Sequence, residues 1–371
     1  KTPAPAATGL QPYRFQLVQR TFYHAFIDIM GPISTKDNIW INTIGEKQTA
    51  SNHPIVQKSK RNNVTSTKVP YEIKRFVLTA TCTQTRLFNM EILDGKNTSD
   101  VLTGLKRFFA RRGVPSYITS DVSTEFVRSS KELDLLWKNL NKKEIFEFAI
   151  ANAIDWNFGF PHCPNRQGLI ERLHKPVKTA LRTKFIKAPT YCELNTHLTQ
   201  LESYINMRPL GFVRSSDSNS YETITPIELD KGIKCTFLPE YKTKQNYHVD
   251  KLVTSKDIAK RRKLLEISLT RAWNNWLKSY ITDQNNIKSS NGFGSRAPRV
   301  GDVVLLNSLE LGFSRGTYVT GIVKAISVFP NSENIRSVKV QYRKNGMNLT
   351  VTKALYNIRL LDYDQIEDIY T

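Results

Sequence analysis

The order of apolar runs between residues 22 and 207 constrains this chain more than any other feature. "FYHAFIDIMGPI" (22–33) is a buried-strand pattern closed by a Gly-Pro turn. "YEIKRFVLTATCTQTRLFNMEILD" (71–94) alternates as two strands joined near residues 83–85. "NTSDVLTGLKRFFARRG" (97–113) switches to helical spacing, with Thr98 or Ser99 as cap and Gly113 as terminator. "PSYITSD" (115–121) reads as a short strand, and helical patterns follow at 124–140 and 142–153. Another strand is predicted within 153–160, then one helix opening near Asn165 and another over about 190–207. Three strands followed by a helix and a fourth strand require a right-handed crossover. That crossover sets the first and fourth strands side by side in a mixed sheet of an α/β layer fold.

The rest of the chain reads differently. Residues 34–68 are rich in Thr, Asn, Lys and Ser and read as a polar insertion, a hairpin around Trp40 and Ile44. Residues 214–250 read as irregular. A strongly basic helix covers 255–281, a Ser/Asn/Gly linker covers 285–298, and five short strands follow. Within that basic helix, Trp273 and Trp276 recur with Leu269 and Leu277 and are expected in a core, whereas "KRRK" (260–263) is a solvated face. The expected domains are a tail (1–14), a catalytic core (15–215, with the 34–68 insertion), an irregular and helical connection (216–298) and a C-terminal domain (299–365).

With 54 Lys and Arg against 33 Asp and Glu, the formal net charge is +21. Such an excess implies a polyanionic partner, nucleic acid or an acidic membrane surface. No run of 18 apolar residues is present, so no spanning helix is predicted. The first residues lack a signal-peptide apolar core and an initiator Met, the pattern of a piece of something longer. Cys82, Cys163, Cys192 and Cys235 make no zinc spacing and fit a reducing, nuclear compartment.

The stretch "CPNRQGLIERLHKPVKTALR" (163–182) holds one acid, Glu171, among basic residues. At about 100° per residue, Glu171, Lys175, Lys178 and Arg182 share one helical face. Leu169, Leu173, Val177, Ala180 and Leu181 share the opposite one. By itself this is an amphipathic surface helix with local ion pairs. The strand order adds two more acids. In a ribonuclease-H arrangement the neighbouring first and fourth strands carry Asp28 and Asp121, with Glu171 leaning over them from its second turn. Three carboxylates are hard oxygen ligands suited to Mg²⁺ or Mn²⁺.

"FIDIMGPI", "GVPSYITSDVSTEFV" and "CPNRQGLIERLHKPVKTAL" occur in the order of the three acid motifs of retroviral-type integrase cores. With "NMRPL", "TPIELDKG", "RAWNNWLKSYI" and "VGDVVLL", the chain resembles the integrase of Pao/BEL long-terminal-repeat retrotransposons and the domain that follows it. The resemblance implies an α/β fold. Its core is a ribonuclease-H-like mixed five-stranded sheet with flanking helices, followed by a basic helical linker and a small SH3-like β-barrel. It implies a catalytic metal triad of Asp28, Asp121 and Glu171 holding two ions, Mg²⁺ or Mn²⁺. It places Lys175 and Lys178 on donor-end DNA and Gln167 in a loop near the terminal bases. Arg182 joins that basic face, and Lys339 and Arg343 are expected on DNA backbone from the barrel. The implied reactions are DNA 3′-end processing and strand transfer on element ends and target duplex. The implied setting is a homo-multimer in the nucleus, after a cytoplasmic particle, with no membrane and no small-molecule substrate.

The chain departs from the family in three ways. Val122-Ser123 stand where Asn-Gly is usual, Pro176 lies inside the third-acid helix, where it is expected to tilt Lys178, and no His/Cys module precedes the core. These departures favour the alternative, a decayed or host-retained product that binds DNA without catalysis. A ribonuclease H acting on RNA–DNA hybrid shares fold and metals but not the C-terminal segments.

Overall fold

Gly31 and Pro32 do not end the first strand. In a computed structural model that describes residues 20–44, 47–51, 64–95, 97–120, 141–158, 168–214, 221–233, 255–282, 297–329 and 335–361, β1 runs His24–Ile44 straight through them. The pair forms a bulge, with the register against β3 (Val64–Cys82) shifting between Met30 and Ile33. Gly31 has φ +133°, and a Cβ there would meet the Arg75 carbonyl oxygen at 3.1 Å. Only glycine fits such a bulge comfortably, and Pro32, lacking an N–H, is tolerated beside it.

The hairpin expected around Trp40 and Ile44 is present, and it extends the sheet. Ser34↔Lys74 through Ile44↔Val64 continue the antiparallel ladder, and β2 (Lys47–Ser51) pairs with β1. The Thr, Asn and Lys residues of its described strands are held by long-range pairing, which outweighs their local preferences.

β3 turns at residues 83–85 into β4 (Phe88–Leu93). α1 (Thr98–Arg112) follows. Its N-cap is Asn97 rather than Thr98 or Ser99, with the Asn97 N–H donating to Asp100 at 3.1 Å. Gly113 closes it as expected, donating to the Phe109 carbonyl at 2.8 Å. β5 (Tyr117–Ser120), α2 (Lys142–Ala151) and β6 (Asp155–Phe158) complete the first layer set. The helix expected at 124–140 lies outside the described residues. The strand order is β4-β3-β1-β5-β6, with β5 and β6 parallel additions. This is the mixed five-stranded α/β sheet expected of a ribonuclease-H-like core, with first and fourth core strands adjacent.

Alternation along β1 divides the core. Ala25, Ile27 and Ile29 pack with α1 and α2, where Leu105 and Phe108 are fully buried. Met30 faces the other side, covered by α3 (Gly168–Leu181) and α4 (Tyr191–Asn206). The region expected to be irregular contains a hairpin, β7 (Gly211–Arg214) with β8 (Tyr221–Ile224), and a short α5 (Pro226–Lys231). Residues 234–250 lie outside the described residues.

The basic helix α6 (Ser255–Thr282) is present, but it is not a free connection. Leu269, Trp273, Trp276, Leu277 and Tyr280 join the same apolar cluster as α3 and α4, with both tryptophans 0% exposed. Truncating either tryptophan to alanine costs about 3–5 kcal/mol. No helix among the described residues is long and apolar enough to cross a membrane.

The C-terminal strands β9 (Val303–Leu306), β10 (Val319–Val328), β11 (Ile335–Lys344), β12 (Met347–Ala354) and β13 (Ile358–Leu360) form one antiparallel sheet, in the order β12-β11-β10-β9-β13. The five expected strands are there. The expected closed barrel is not: among the described residues β12 and β13 are opposite edges with no ladder between them. Instead β9 is buried on both faces, Val303 and Leu305 in the cluster with α6, Val304 and Leu306 in the sheet's own core. Covering by α6 removes apolar surface that closure would otherwise have to hide.

Candidate active site

Asp28 sits on the central strand at the point where the described part of β5 ends. Parallel pairing runs His24↔Tyr117 to Ile27↔Ser120. Side chains alternate across a strand, so His24, Phe26 and Asp28 share the α3 face. His24 Nε2 lies 2.8 Å from Thr119 Oγ1, tying that face to β5. The Asp28 side chain is 15% exposed. Its Oδ1 accepts the Ile29 N–H at 2.8 Å. Its Oδ2 lies 3.2 Å from His174 Nδ1 and 3.0 Å from Lys178 Nζ. Burial alone pushes the carboxyl up. The hydrogen bond from His174 and the Lys178 charge outweigh it and hold the group at about 2, ionised through the neutral range.

α3 delivers those partners because its apolar stripe is docked. Leu173, Val177 and Ala180 are buried in the core, and His174 and Lys178, four residues apart, reach Asp28 from the same helix. Pro176 leaves the helix continuous and does not carry Lys178 away, since the ammonium reaches Asp28. His174 is 2% exposed, packs edge-on to Phe26 and Phe88, and places Nε2 3.1 Å from Thr81 Oγ1. It bridges a β3 hydroxyl to the β1 carboxylate and fixes the carboxylate's orientation.

The remaining expected residues separate into groups. Asp121 and Gln167 lie outside the described residues. Glu171 belongs to the first described turn of α3, one turn before His174; the expected helix start near Asn165 and the Glu171 side chain lie outside the described set. Lys175 and Arg182 are exposed, so the four-residue face drawn on the wheel divides: Lys178 turns inward and these two face solvent. Lys339 and Arg343 are exposed on β11, in the other sheet. Among the described residues no group of three His, Cys, Asp or Glu could hold a metal ion, as two of the three expected acids are not among their side chains. The donor chemistry at Asp28 nevertheless fits a hard divalent cation: an ionised, partly exposed carboxylate faced by the helix whose sequence also contains Glu171.

No protein-family model and no curated protein matches the chain. Among solved structures, it is similar to the catalytic core domain of BIV integrase at 14% identity and a TM-score of 0.29, over 57% of this chain and 95% of that one. It is also similar to a chain of the simian T-cell lymphotropic virus intasome, solved in complex with PP2A regulatory subunit B56 gamma. That match has 9% identity and a TM-score of 0.29, over 94% of this chain and 85% of that one. Superposition at this level is too loose to carry weight, and the strand order and the Asp28 geometry stand without it.

Sequence reasoning did not give the His174 bond to Asp28. The available signal was its i+3 offset from Glu171 beside an apolar stripe. Arg315, another cation of the C-terminal region, pairs with Glu266 at 2.6 Å and donates to Tyr204 Oη at 3.1 Å. Lys344 donates to the Leu311 carbonyl at 2.5 Å. Both serve the fold.

Proposed function

We propose that the chain is the integrase of a Pao/BEL-type long-terminal-repeat retrotransposon, a polynucleotidyl transferase that joins DNA 3′ ends to target duplex. The observation that carries this reading is the seating of His174 and Lys178, from the helix whose sequence also contains Glu171, on Asp28 of the central strand. Asp121 is the residue after Ser120 in the sequence, and Ser120 is the last described partner of β1, opposite Ile27. Asp28, Asp121 and Glu171 would hold two Mg²⁺ or Mn²⁺ ions. Bound there, the ions supply an activated attacking oxygen and a stabilised leaving oxygen for in-line displacement. His174 holds the Asp28 carboxylate in place. Lys175, Lys178 and Arg182 neutralise donor phosphates, Gln167 meets the terminal bases, and Lys339 and Arg343 hold backbone from the C-terminal sheet. The multimeric, nuclear setting belongs to the same proposal, as do the four-part domain scheme and an SH3-like origin for the open C-terminal sheet.

The second reading, a DNA-binding product without catalysis, is favoured by one observation: both Asp28 oxygens already have protein partners. One experiment separates the two. Duplex carrying the terminal repeat of the encoding element is incubated with a supercoiled plasmid, Mg²⁺ and wild type, Asp121→Asn or Glu171→Gln. Joined product from wild type alone supports the integrase. Equal product, or none, from all three eliminates catalysis by this triad and leaves the binder.

A further inference from the structure

Lys178 occupies Asp28 in the way a metal ion would. Its Nζ lies 3.0 Å from Oδ2, the oxygen that also accepts from His174, and Oδ1 already takes the Ile29 N–H. The side chains are 17% and 15% exposed, so salt screens the pair weakly. A divalent ion arriving at Oδ2 meets an ammonium there and is repelled by it. The ammonium is a compact charge on a flexible four-carbon stem in the last turn of α3, able to swing. A phosphodiester is the competing anion that the chain's charge excess attracts.

Resting on the reading of Asp28 as a metal ligand, we infer that Lys178 is a tethered cation that holds Asp28 until a DNA phosphate draws it off, so that DNA and divalent ion bind cooperatively. The duplex removes a competing positive charge from Oδ2, and the ion frees Lys178 for the duplex. Such coupling is reciprocal by linkage. A protein without DNA would then carry little metal at Asp28, and loading would be confined to the DNA-bound state.

The test is Mn²⁺ binding to the intact chain, measured calorimetrically with and without a short blunt duplex and corrected for the ion the duplex binds alone. Wild type, Lys178→Met, Lys178→Gln and Asp28→Asn are compared, with melting curves to establish that each is folded. Without DNA, both Lys178 variants should bind Mn²⁺ about tenfold tighter than wild type, inside the roughly 5–150-fold range of coupled sites. The duplex should tighten binding to wild type and leave the two variants unchanged. Equal or weaker Mn²⁺ affinity in both variants, with binding still lost in Asp28→Asn, overturns the tethered-cation role and leaves the metal reading standing. No difference between wild type and Asp28→Asn overturns the metal reading, and this inference with it.

Discussion

Asp28 and Glu202 are about equally buried, and their surroundings shift the two carboxyls in opposite directions. The Asp28 side chain is 15% exposed and that of Glu202 14%. Burial raises both. At Glu202 burial prevails and the carboxyl is pushed up to about 7, with Arg112 and the Met90 N–H pulling down and nearby Glu91 pushing further up. At Asp28 the partners prevail and the group sits at about 2. The partner set, not the depth, decides the direction of the shift. Glu202 and Asn206 project from α4 onto the edge strand β4. Glu202 accepts the Met90 N–H at 2.8 Å; Asn206 accepts the Phe88 N–H at 2.8 Å and donates to the Phe88 carbonyl at 2.7 Å. They stand in for a missing neighbour strand, which blunts the edge. One carboxylate completes a fold; the other, on the central strand, is kept ionised and partly open.

That contrast predicts different phenotypes. Asp28→Asn should drop Mg²⁺-dependent strand transfer per folded molecule by at least ~100-fold, as expected for removing an electrostatic element of a reacting centre, with a lowered urea midpoint because the charge that His174 and Lys178 stabilise is gone. An activity loss matched by unfolding would erase the distinction. Asn206→Ala should act on stability alone. It strands the N–H and C=O of Phe88 and should cost about 2–3 kcal/mol in urea denaturation, with transfer per folded molecule unchanged.

A smaller effect is the pH dependence of Glu202. Its folded value of about 7 lies above its ordinary 4.5, so the folded chain keeps a proton that the unfolded chain releases between those values. The contribution is full below about 4.5 and is lost as pH rises through about 7. Glu202→Gln should flatten the fall of Tm between pH 5 and 8; an unchanged profile removes the assignment. His24 and His197, held down at about 4 mainly by burial, work in the other direction. Their stability is present above the ordinary 6.5 and is lost as pH falls through 4, so the difference between variant and wild type isolates Glu202. The smallest expected change concerns Lys339 and Arg343. Substituting each by alanine should leave Tm within about 0.5 kcal/mol equivalents and lower the salt slope of DNA binding by about 0.9 per lost phosphate contact. An unchanged slope takes β11 out of the DNA interface.

Much of the core was legible because its signals are local. The apolar alternation of 71–94, the Gly113 stop and the Leu173/Val177/Ala180 stripe each need only neighbouring residues to be read. The continuation of β1 past Gly31-Pro32 was not legible, because a bulge is stabilised by a partner strand that local sequence does not name. The packed role of α6 was half legible: its tryptophans announced a core, and nothing announced which one. The chemistry at Asp28 divides in the same way. Its place on a strand and the Glu171 helix followed from pattern, whereas the bonds from His174 and Lys178 bridge 146 and 150 positions of chain (174 − 28 and 178 − 28).

The sequence by itself determined most of the core's strands and helices, which faces turn apolar, and the large positive charge of the chain, because periodicity and net charge are properties of the chain alone. Tertiary structure decided which cation meets Asp28, why the Glu202 carboxyl is shifted upward at equal depth, and that the C-terminal sheet stays open against α6. Those outcomes depend on distances between residues far apart in the chain, and electrostatic and packing energies change over a few ångströms that no local pattern encodes.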